Sequence, residues 1–313
     1  MTADLLINVL VLIALMEMMV TVGLNVTFVD LAEVSRNVGL LARAALANYI
    51  YFPAVTVGLL LVYDANPMVA AGFLILAVCP GAPYGPPFAA IAKGNVVVAV
   101  GLMVMLSGSS AIIAPILLRY LLPLVSGNEQ MSVDASRIVI ILLATQLMPL
   151  CVGVSVRRWC PALADRLCKP ANLMSKVLNL IAVGLILVNQ FHLLAEIRPR
   201  GFVGMLALLI ASWVAGWLLG GPDSAIRKAM TLTTSLRNVA VGLVIATGSF
   251  AGTPAVTAVV VYGLLGIVGS LLLALVWSQI EATGALATVE RNQVPSSVQP
   301  AAKETMPQEG PLS

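Results

Sequence analysis

The feature that most constrains this chain is a succession of long apolar runs that contain almost no charged residue. Only 10% of its 313 residues are charged, whereas soluble domains carry about a quarter. A helix of about 20 apolar residues is long enough to cross a bilayer. We count nine segments of that kind, which are Leu5–Val26, Leu41–Val62, Val69–Ala92, Val96–Leu118, Ile138–Val156, Met174–Leu194, Phe202–Leu219, Ala225–Phe250 and Pro254–Ile280. The sequence therefore predicts an all-α integral membrane protein with about nine transmembrane helices.

The composition changes after residue 280, where Asn, Gln, Pro, Ser, Lys and Glu become frequent. We therefore predict a transmembrane domain over residues 1–280 and a disordered tail over residues 281–313. The net charge of +3 comes from basic loops, which argues against nucleic acid as a partner. The four cysteines form no CxxC pair, so we expect neither a metal site nor a cofactor. Because HExxH, GxSxG and paired intramembrane aspartates are missing from the sequence, we do not expect an enzyme.

Basic residues divide the loops into two sets, and this division predicts an orientation in a cell inner membrane. The richer set holds Arg36, Arg43, Lys93, Arg157, Arg158, Arg166, Lys169, Lys176, Arg227 and Lys228. The poorer set holds Arg119, Arg137, Arg198 and Arg200. Basic loops stay in the cytoplasm, so nine spans place the N-terminus outside and the C-terminal tail inside.

Two of the nine spans carry residues that interrupt a helix. The third contains four prolines and two glycines between Cys79 and Pro87, and such a stretch cannot continue a helix. The eighth contains a polar patch, Thr231–Asn238. The two spans are five apart, so they cross the membrane in opposite directions. Broken helices at matching places in inverted halves are typical of carriers whose binding site lies at the midplane, and their half-helix N-termini favour an anion.

Two ionisable residues, Glu17 and Arg237, lie well inside predicted spans. A charge at mid-membrane costs about 3 kcal/mol or more and usually faces a cavity or a partner. Arginine cannot become neutral, so Arg237 requires an anion or carbonyl groups nearby. The candidates are Glu17, a substrate carboxylate and the carbonyls of a broken helix end. Glu17 is correspondingly either a proton carrier or a counter-ion that neutralises Arg237.

These motifs resemble those of the bile acid:sodium symporter family. Cys79-Pro80-Gly81 in a broken span, followed by Ala92-Lys93-Gly94-Asn95, is similar to the "CPGG…SN…ARGN" signature of bacterial members. The stretch from Lys228 to Asn238 is similar to the family's "KALTIEVGMQN". The resemblance extends from about Val11 to Ser278 and implies inverted repeats with two broken, crossing helices. It also implies a core domain that contains these helices and a panel domain that faces it and includes the first span. Substrates in the family are organic anions.

The resemblance also implies where sodium would bind, and there this chain departs from its relatives. Sodium-coupled members hold one ion with a Ser-Asn pair, a Ser and a Thr on the next span, and a Glu on the eighth. The matching positions here are Gly85, Pro86, Ala99, Met103 and Thr233. A second ion is held by two Gln and the same Glu, and the matching positions are Asn48, Arg237 and Thr233. Few oxygen ligands and no carboxylate remain for a hard cation.

We therefore predict a membrane carrier that moves a small organic anion by alternating access without sodium, with Arg237 in place of the bound cation. Uniport, exchange and proton coupling through Glu17 remain open. The alternatives are a transport-inactive membrane scaffold or sensor and an efflux permease of related fold. The expected partners are an organic anion and membrane lipid. The predicted substrate-binding residues, assisted by backbone N–H groups between Gly81 and Gly85, are Arg237, Asn238, Thr233, Asn48, Tyr84, Gly85 and Pro86.

Overall fold

The computed structural model describes residues 3–125, 134–189 and 199–293. Within these ranges the regular elements are helices, and one isolated β-bridge pairs Pro80 with Arg237. The first helices are α1 Ala3–Asn25, α2 Phe28–Arg36, α3 Val38–Ala45, α4 Phe52–Val62, α5 Pro67–Ala77, α6 Gly85–Ile91 and α7 Val96–Val125. The remaining helices are α8 Ala135–Leu142, α9 Met148–Trp159, α10 Pro161–Asn189, α11 Pro199–Leu219, α12 Ser224–Ser235, α13 Val239–Ser249 and α14 Pro254–Gln293. The all-α prediction is confirmed.

Five uninterrupted helical segments are long and apolar enough to cross a membrane. They are Val38–Val62, Val96–Val125, Ala135–Trp159, Gly201–Leu219 and Pro254–Glu281. The helices Val9–Asn25 and Phe28–Arg36 meet the same criterion only when they are taken together, and they are bent by 84° at their junction. The predicted third and eighth spans are each divided into two helices of 7 to 12 residues, so neither half spans a bilayer alone. The count of nine therefore stays a prediction.

The two divided spans meet at their breaks. The first break lies between α5 and α6, where Gly81 adopts a left-handed backbone with φ 85°. The second lies between α12 and α13, where Leu236 is extended. Pro80 and Arg237 form the isolated antiparallel bridge, and the Asn238 backbone N–H donates to the Cys79 carbonyl at 2.8 Å. Each break thus supplies partners for backbone groups that the other leaves free, as an interrupted helix inside a membrane requires.

Two other spans contain a wide π-helical turn followed by proline. These turns are Leu46–Tyr51 between α3 and α4, and Leu143–Leu147 between α8 and α9. Pro53 and Pro149 follow them, and a proline ring clashes with the carbonyl four residues earlier. Widening the helix by one residue relieves this clash. Each turn carries one fully buried amide side chain, Asn48 or Gln146.

The helices form two packed groups. In the smaller group α1 packs along α9 and α10, and Gly23 approaches Gly153 so closely that a Cβ on Gly23 would lie 2.8 Å from the Gly153 Cα. Small residues permit such close helix contacts in membranes. The larger group contains the broken helices together with α7 and α14. The panel and core domains that the resemblance implies remain a prediction.

The last helix extends beyond the predicted end of the transmembrane domain. It continues to Gln293, so the first residues of the predicted disordered tail are helical. The stretch from Glu281 to Gln293 includes Ala, Leu, Glu and Arg, which favour a helix. Residues 294–313 lie outside the described part of the chain, and the boundary at residue 280 is not tested.

Candidate functional site

Arg237 lies at the point where the two broken spans cross. Only 3% of the residue is exposed, and its Nη1 donates to the Ala77 carbonyl at 3.2 Å. Ala77 is the last residue of α5, so the guanidinium occupies the negative end of that half-helix. Its Cζ also lies 3.8 Å from the centre of the Phe52 ring, which is a cation–π contact. A carbonyl and an aromatic face therefore stabilise this charge inside the protein.

The guanidinium retains unused hydrogen-bonding capacity. Arg237 Nε and Nη2 are buried and have no hydrogen-bond partner among the described residues. The hydroxyl of Tyr262, which interacts electrostatically with Arg237, is likewise buried and without a partner there. Buried polar groups are nearly always satisfied in folded proteins, so each exception needs an explanation, such as a bound water molecule, an ion or a functional role. Two N–H donors of Arg237 and the Tyr262 hydroxyl are thus available to water or to a bound group.

A cavity of about 40 Å³ adjoins Arg237. Its polar wall comes from the two breaks and is formed by Tyr84, Arg237 and Asn238. The remaining wall is apolar, and α1 contributes to it; the lining residues are Val11, Ala14, Met18, Pro83, Val239, Ala240, Leu243, Val260, Leu264 and Ile267. Ligand pockets usually measure about 300–1,000 Å³. In this conformation the cavity has room for a few water molecules or for a group as small as a carboxylate.

A family model described as "Sodium Bile acid symporter family" matches residues 12–197, which is more than half of the chain. The chain belongs to this family. It is also similar to a rice protein (Oryza sativa subsp. japonica) described as "Probable sodium/metabolite cotransporter BASS2, chloroplastic", with 24% identity over 236 residues. The match covers 74% of this chain and 55% of the rice protein, so the chain spans about half the length of that relative. As a member of this transporter family, it is a multi-pass membrane protein.

Three of the seven predicted substrate-binding residues of this family member line the cavity: Arg237, Asn238 and Tyr84. Asn238 caps α13 through a hydrogen bond from the Val241 N–H to its Oδ1 at 3.2 Å. Its Nδ2 donates to the Gly81 carbonyl at 3.5 Å. The amide thus ties the start of one half-helix to the break of the other, and it borders the cavity beside the guanidinium.

The other four predicted residues do not line the cavity. Asn48 donates from Nδ2 to Ala44 O at 2.9 Å and to Thr234 Oγ1 at 3.3 Å, while its Oδ1 is buried without a partner among the described residues. Thr233 is bonded to carbonyls of its own helix, at 2.9 Å from Ala229 O and at 3.2 Å from Met230 O. Gly85 and Pro86 are buried at the start of α6.

At the positions that match one sodium site of the family, Gly85 and Thr233 pack directly against each other. A Cβ on Gly85 would lie 3.0 Å from the Thr233 Cγ2, which is tighter than an ordinary van der Waals contact. Ala99 and Met103 are buried in α7. The side chains at these positions offer methyl groups and a thioether, and the one hydroxyl among them donates within its own helix.

Glu17 does not contact Arg237. Its Oε1 accepts from the Thr21 hydroxyl at 2.7 Å, and its Oε2 accepts from the Ser175 hydroxyl of α10. The structure therefore lacks the Glu17–Arg237 ion pair that the sequence left open as an alternative. Of the two partners that the chain itself could supply, Arg237 contacts a carbonyl of a broken helix end, that of Ala77.

Phe52 and Tyr262 belong to this site and were not predicted from the sequence. Phe52 lies one helical turn after Asn48, so the spacing alone indicates a shared face, but a phenylalanine in a span usually contacts lipid or core. Tyr262 lies on α14, where its neighbours are uniformly apolar. Its ring lies 6.4 Å from that of Phe52, stacked upon it, and no sequence pattern indicates that contact.

Proposed function

We propose that this protein carries a small organic anion across the membrane by alternating access, with Arg237 as the fixed positive charge of the binding site and without bound sodium. The observation that carries the proposal is the buried guanidinium at the helix crossing, whose Nε and Nη2 are unused beside a cavity. A carboxylate or sulfonate accepts two parallel N–H bonds from a guanidinium. The further donors that line the cavity are the Tyr84 hydroxyl and the Asn238 amide, and the unpartnered Tyr262 hydroxyl interacts electrostatically with Arg237.

The position of Arg237 supports its role as a replacement for a bound cation. It stands at the carboxyl end of a half-helix, where a positive charge is favourable, and it contacts the carbonyl that this end leaves free. A sodium ion about 4 Å from the guanidinium would be repelled by about 4 kcal/mol at an effective dielectric constant near 20. The fixed charge thus supplies the electrostatic contribution of an ion and also disfavours the ion itself.

The side chains at the matched positions support the same conclusion. Sodium is a hard cation that needs several oxygen ligands. At the first site Gly85, Pro86, Ala99 and Met103 offer no side-chain oxygen. The rice relative is named a sodium/metabolite cotransporter, and we propose that this chain differs from it in coupling. That name does not specify the metabolite, so the substrate of this chain has to be found by experiment.

The test is a thermal-shift screen of the purified protein with acetate, benzoate, succinate and taurocholate. A ligand that binds the folded state raises its stability by mass action, by about 2.7 kcal/mol at one hundred times Kd. We expect at least one of these anions to raise the unfolding temperature of the wild type and to leave that of Arg237→Gln unchanged.

Arg227→Gln is the matched control, because Arg227 also lies over an aromatic ring and donates to one backbone carbonyl. It should keep the full shift. A shift retained in Arg237→Gln would remove Arg237 from the site. The absence of any shift would favour the transport-inactive scaffold or sensor. Efflux without uptake of a binding anion in oriented vesicles would favour the efflux permease.

A further inference from the structure

Glu17 lies at a helix interface inside the smaller group of helices and not in the cavity. Both of its oxygens accept hydroxyl hydrogen bonds, from Thr21 on α1 and from Ser175 on α10. Neither donor is charged. Placing an ionised carboxylate in the apolar part of a bilayer without a nearby cation costs free energy. Placing a protonated carboxyl group there costs much less.

The charged and titratable groups on the helices that pack against α1 do not neutralise Glu17 by a salt bridge. The elements packed against α1 are α9, α10, α13 and the π-turn Leu143–Leu147, and the last two contain no titratable residue. The groups on α9 and α10 are Cys151, Arg157, Arg158, Asp165, Arg166, Cys168, Lys169 and Lys176. Within the described part of the chain, none of them forms a salt bridge with Glu17.

A series of polar groups leads from Glu17 to the end of α1. Thr21 is 4% exposed and bonds to Glu17, and the Asn25 amide donates to the Thr21 carbonyl at 2.7 Å. Asn25 and Asn172 exchange hydrogen bonds at 3.3 and 3.4 Å across α1 and α10, and Asn25 is exposed. From residue 17 to residue 25 the helix rises about 12 Å. We call Glu17, Thr21, Asn25 and Asn172 the polar track.

A second polar cluster lies at the end of the track near Asn25. Arg157 donates from Nε to the Leu24 carbonyl at 2.5 Å and pairs with Asp165 at 2.6 Å. The Asp165 side chain is 70% exposed. Asn172 is anchored by a bond from its Nδ2 to the Cys168 carbonyl at 2.7 Å. The track therefore ends at a charged, water-accessible surface on the side that carries the basic loops.

We propose that Glu17 is a proton-binding site that exchanges with water at this surface through the polar track. Water drawn between α1 and α10 by the polar side chains delivers a proton to a Glu17 oxygen and receives it on release. If the chain is an anion carrier as proposed above, Glu17 makes the proton its coupling ion. Ala14, one turn before Glu17 on α1, lines the cavity together with Val11 and Met18, so the charge on this helix changes next to the anion site.

The test is pH-difference infrared spectroscopy of the protein in liposomes, without any anion substrate. On acidification the wild type should gain the C=O stretching band of a protonated carboxyl group. The band should be missing in Glu17→Gln and retained in Glu33→Gln, which alters an exposed glutamate on α2. Because Glu17→Gln could disturb folding, Ser175→Ala provides a second readout: it removes a hydrogen bond to Glu17 and should shift the band without abolishing it.

The polar track is tested by the rate at which this band moves after transfer to D₂O. Asn25→Leu and Asn172→Leu leave Glu17 and its two hydroxyl donors in place, so the band should persist while its exchange becomes severalfold slower. A purely structural Glu17 would show no change in exchange rate. A spectrum without a Glu17 band, or exchange unchanged in both Asn variants, would overturn the proposal. Either result leaves the anion screen with Arg237→Gln unaffected, so the two proposals fail separately.

Discussion

At the scale of single residues, the burial of Arg237 depends on a few specific contacts. The Ala77 carbonyl and the Phe52 ring both approach the guanidinium, and each offsets part of the loss of hydration. A cation over a desolvated aromatic face gains about 2 kcal/mol. The ring of Phe52 is therefore part of the electrostatic site, although it is apolar.

Phe52→Leu should reveal this contribution, because it keeps most of the volume and removes the ring face. We expect Phe52→Leu to lower the unfolding free energy by about 1–2 kcal/mol more in the wild type than in Arg237→Gln, since only the wild type has the cation. The measurement is a double-mutant cycle by denaturant titration in detergent micelles. Additive effects of the two substitutions would show that the ring and the cation are not coupled.

Gly81→Ala should destabilise the crossing for two reasons. The residue has a φ of 85°, which costs a non-glycine residue about 1–2 kcal/mol. An added Cβ would also lie 2.5 Å from the Ser107 backbone nitrogen of α7. Gly252→Ala is the control, because Gly252 has φ 70° but no atom within 4 Å of an added Cβ. We expect a clearly larger fall in unfolding temperature for Gly81→Ala; equal falls would mean that the close approach to α7 is unimportant.

The sequence allowed some of these residues to be predicted. Arg237 could be identified because a permanent charge in an apolar span is rare and needs a partner. Its partners could not be identified, since Ala77 contributes only a backbone carbonyl and Phe52 resembles any other apolar residue of a span. Thr233 and Asn48 were predicted as substrate-binding residues, and the structure places both side chains in hydrogen bonds between or within helices.

At the scale of secondary structure elements, the crossing depends on how each half-helix begins and ends. Asn238 caps α13 and reaches the Gly81 carbonyl, while its backbone N–H bonds to Cys79. The proline cluster predicted the first break, and the polar patch predicted the second. The pairing of the two breaks as a β-bridge follows from their meeting in space, and neither segment shows it alone.

Asn238→Ala should weaken this junction, because it removes the helix cap and the side-chain bond to Gly81. The loss of an N-cap costs about 1 kcal/mol. We expect a lower unfolding free energy, measured by denaturant titration, and a smaller loss for Asn238→Ser, which can still cap α13. An Asn238→Ala protein as stable as the wild type would show that the backbone pairing alone holds the crossing.

Two element-scale features were not predicted. The π-helical turns arise from a steric conflict between a proline and the preceding turn, and prolines also occur in spans without such turns. The 84° bend between α1 and α2 is stabilised by a capping box between Thr27 and Asp30. The Thr27–Asp30 capping box lies between the first two predicted spans, in a region taken as a loop. The helix α2 was therefore not predicted.

At the scale of the whole molecule, the two groups of helices meet around a cavity of about 40 Å³. The α1 residues that form one wall belong to the smaller group, and the guanidinium belongs to the larger. On the proposed function, binding an organic anion larger than a carboxylate would require the groups to separate. The apolar segments predicted this all-α membrane protein well because hydropathy reflects the bilayer directly, whereas packing between helices leaves a much weaker pattern.

The orientation of the chain can be tested with its own cysteines. Cys160 is exposed between α9 and α10, next to the richest basic segment, so we expect it to face the cytoplasm. A variant that retains Cys160 as its single cysteine should react with a membrane-impermeant maleimide in inverted vesicles and not in right-side-out vesicles. Asp64→Cys in a cysteine-free protein should show the opposite pattern. The reverse result for both would invert the predicted topology.

The central claim is that a fixed guanidinium has taken the place of the coupling cation, and a sodium titration of the purified protein tests it most directly. The unfolding temperature should be measured in increasing sodium chloride and, at equal ionic strength, in choline chloride, because a bound ion stabilises the folded state by mass action. The account predicts superimposable curves for the wild type. A saturable rise specific to sodium would show that the protein binds the ion and would contradict the claim.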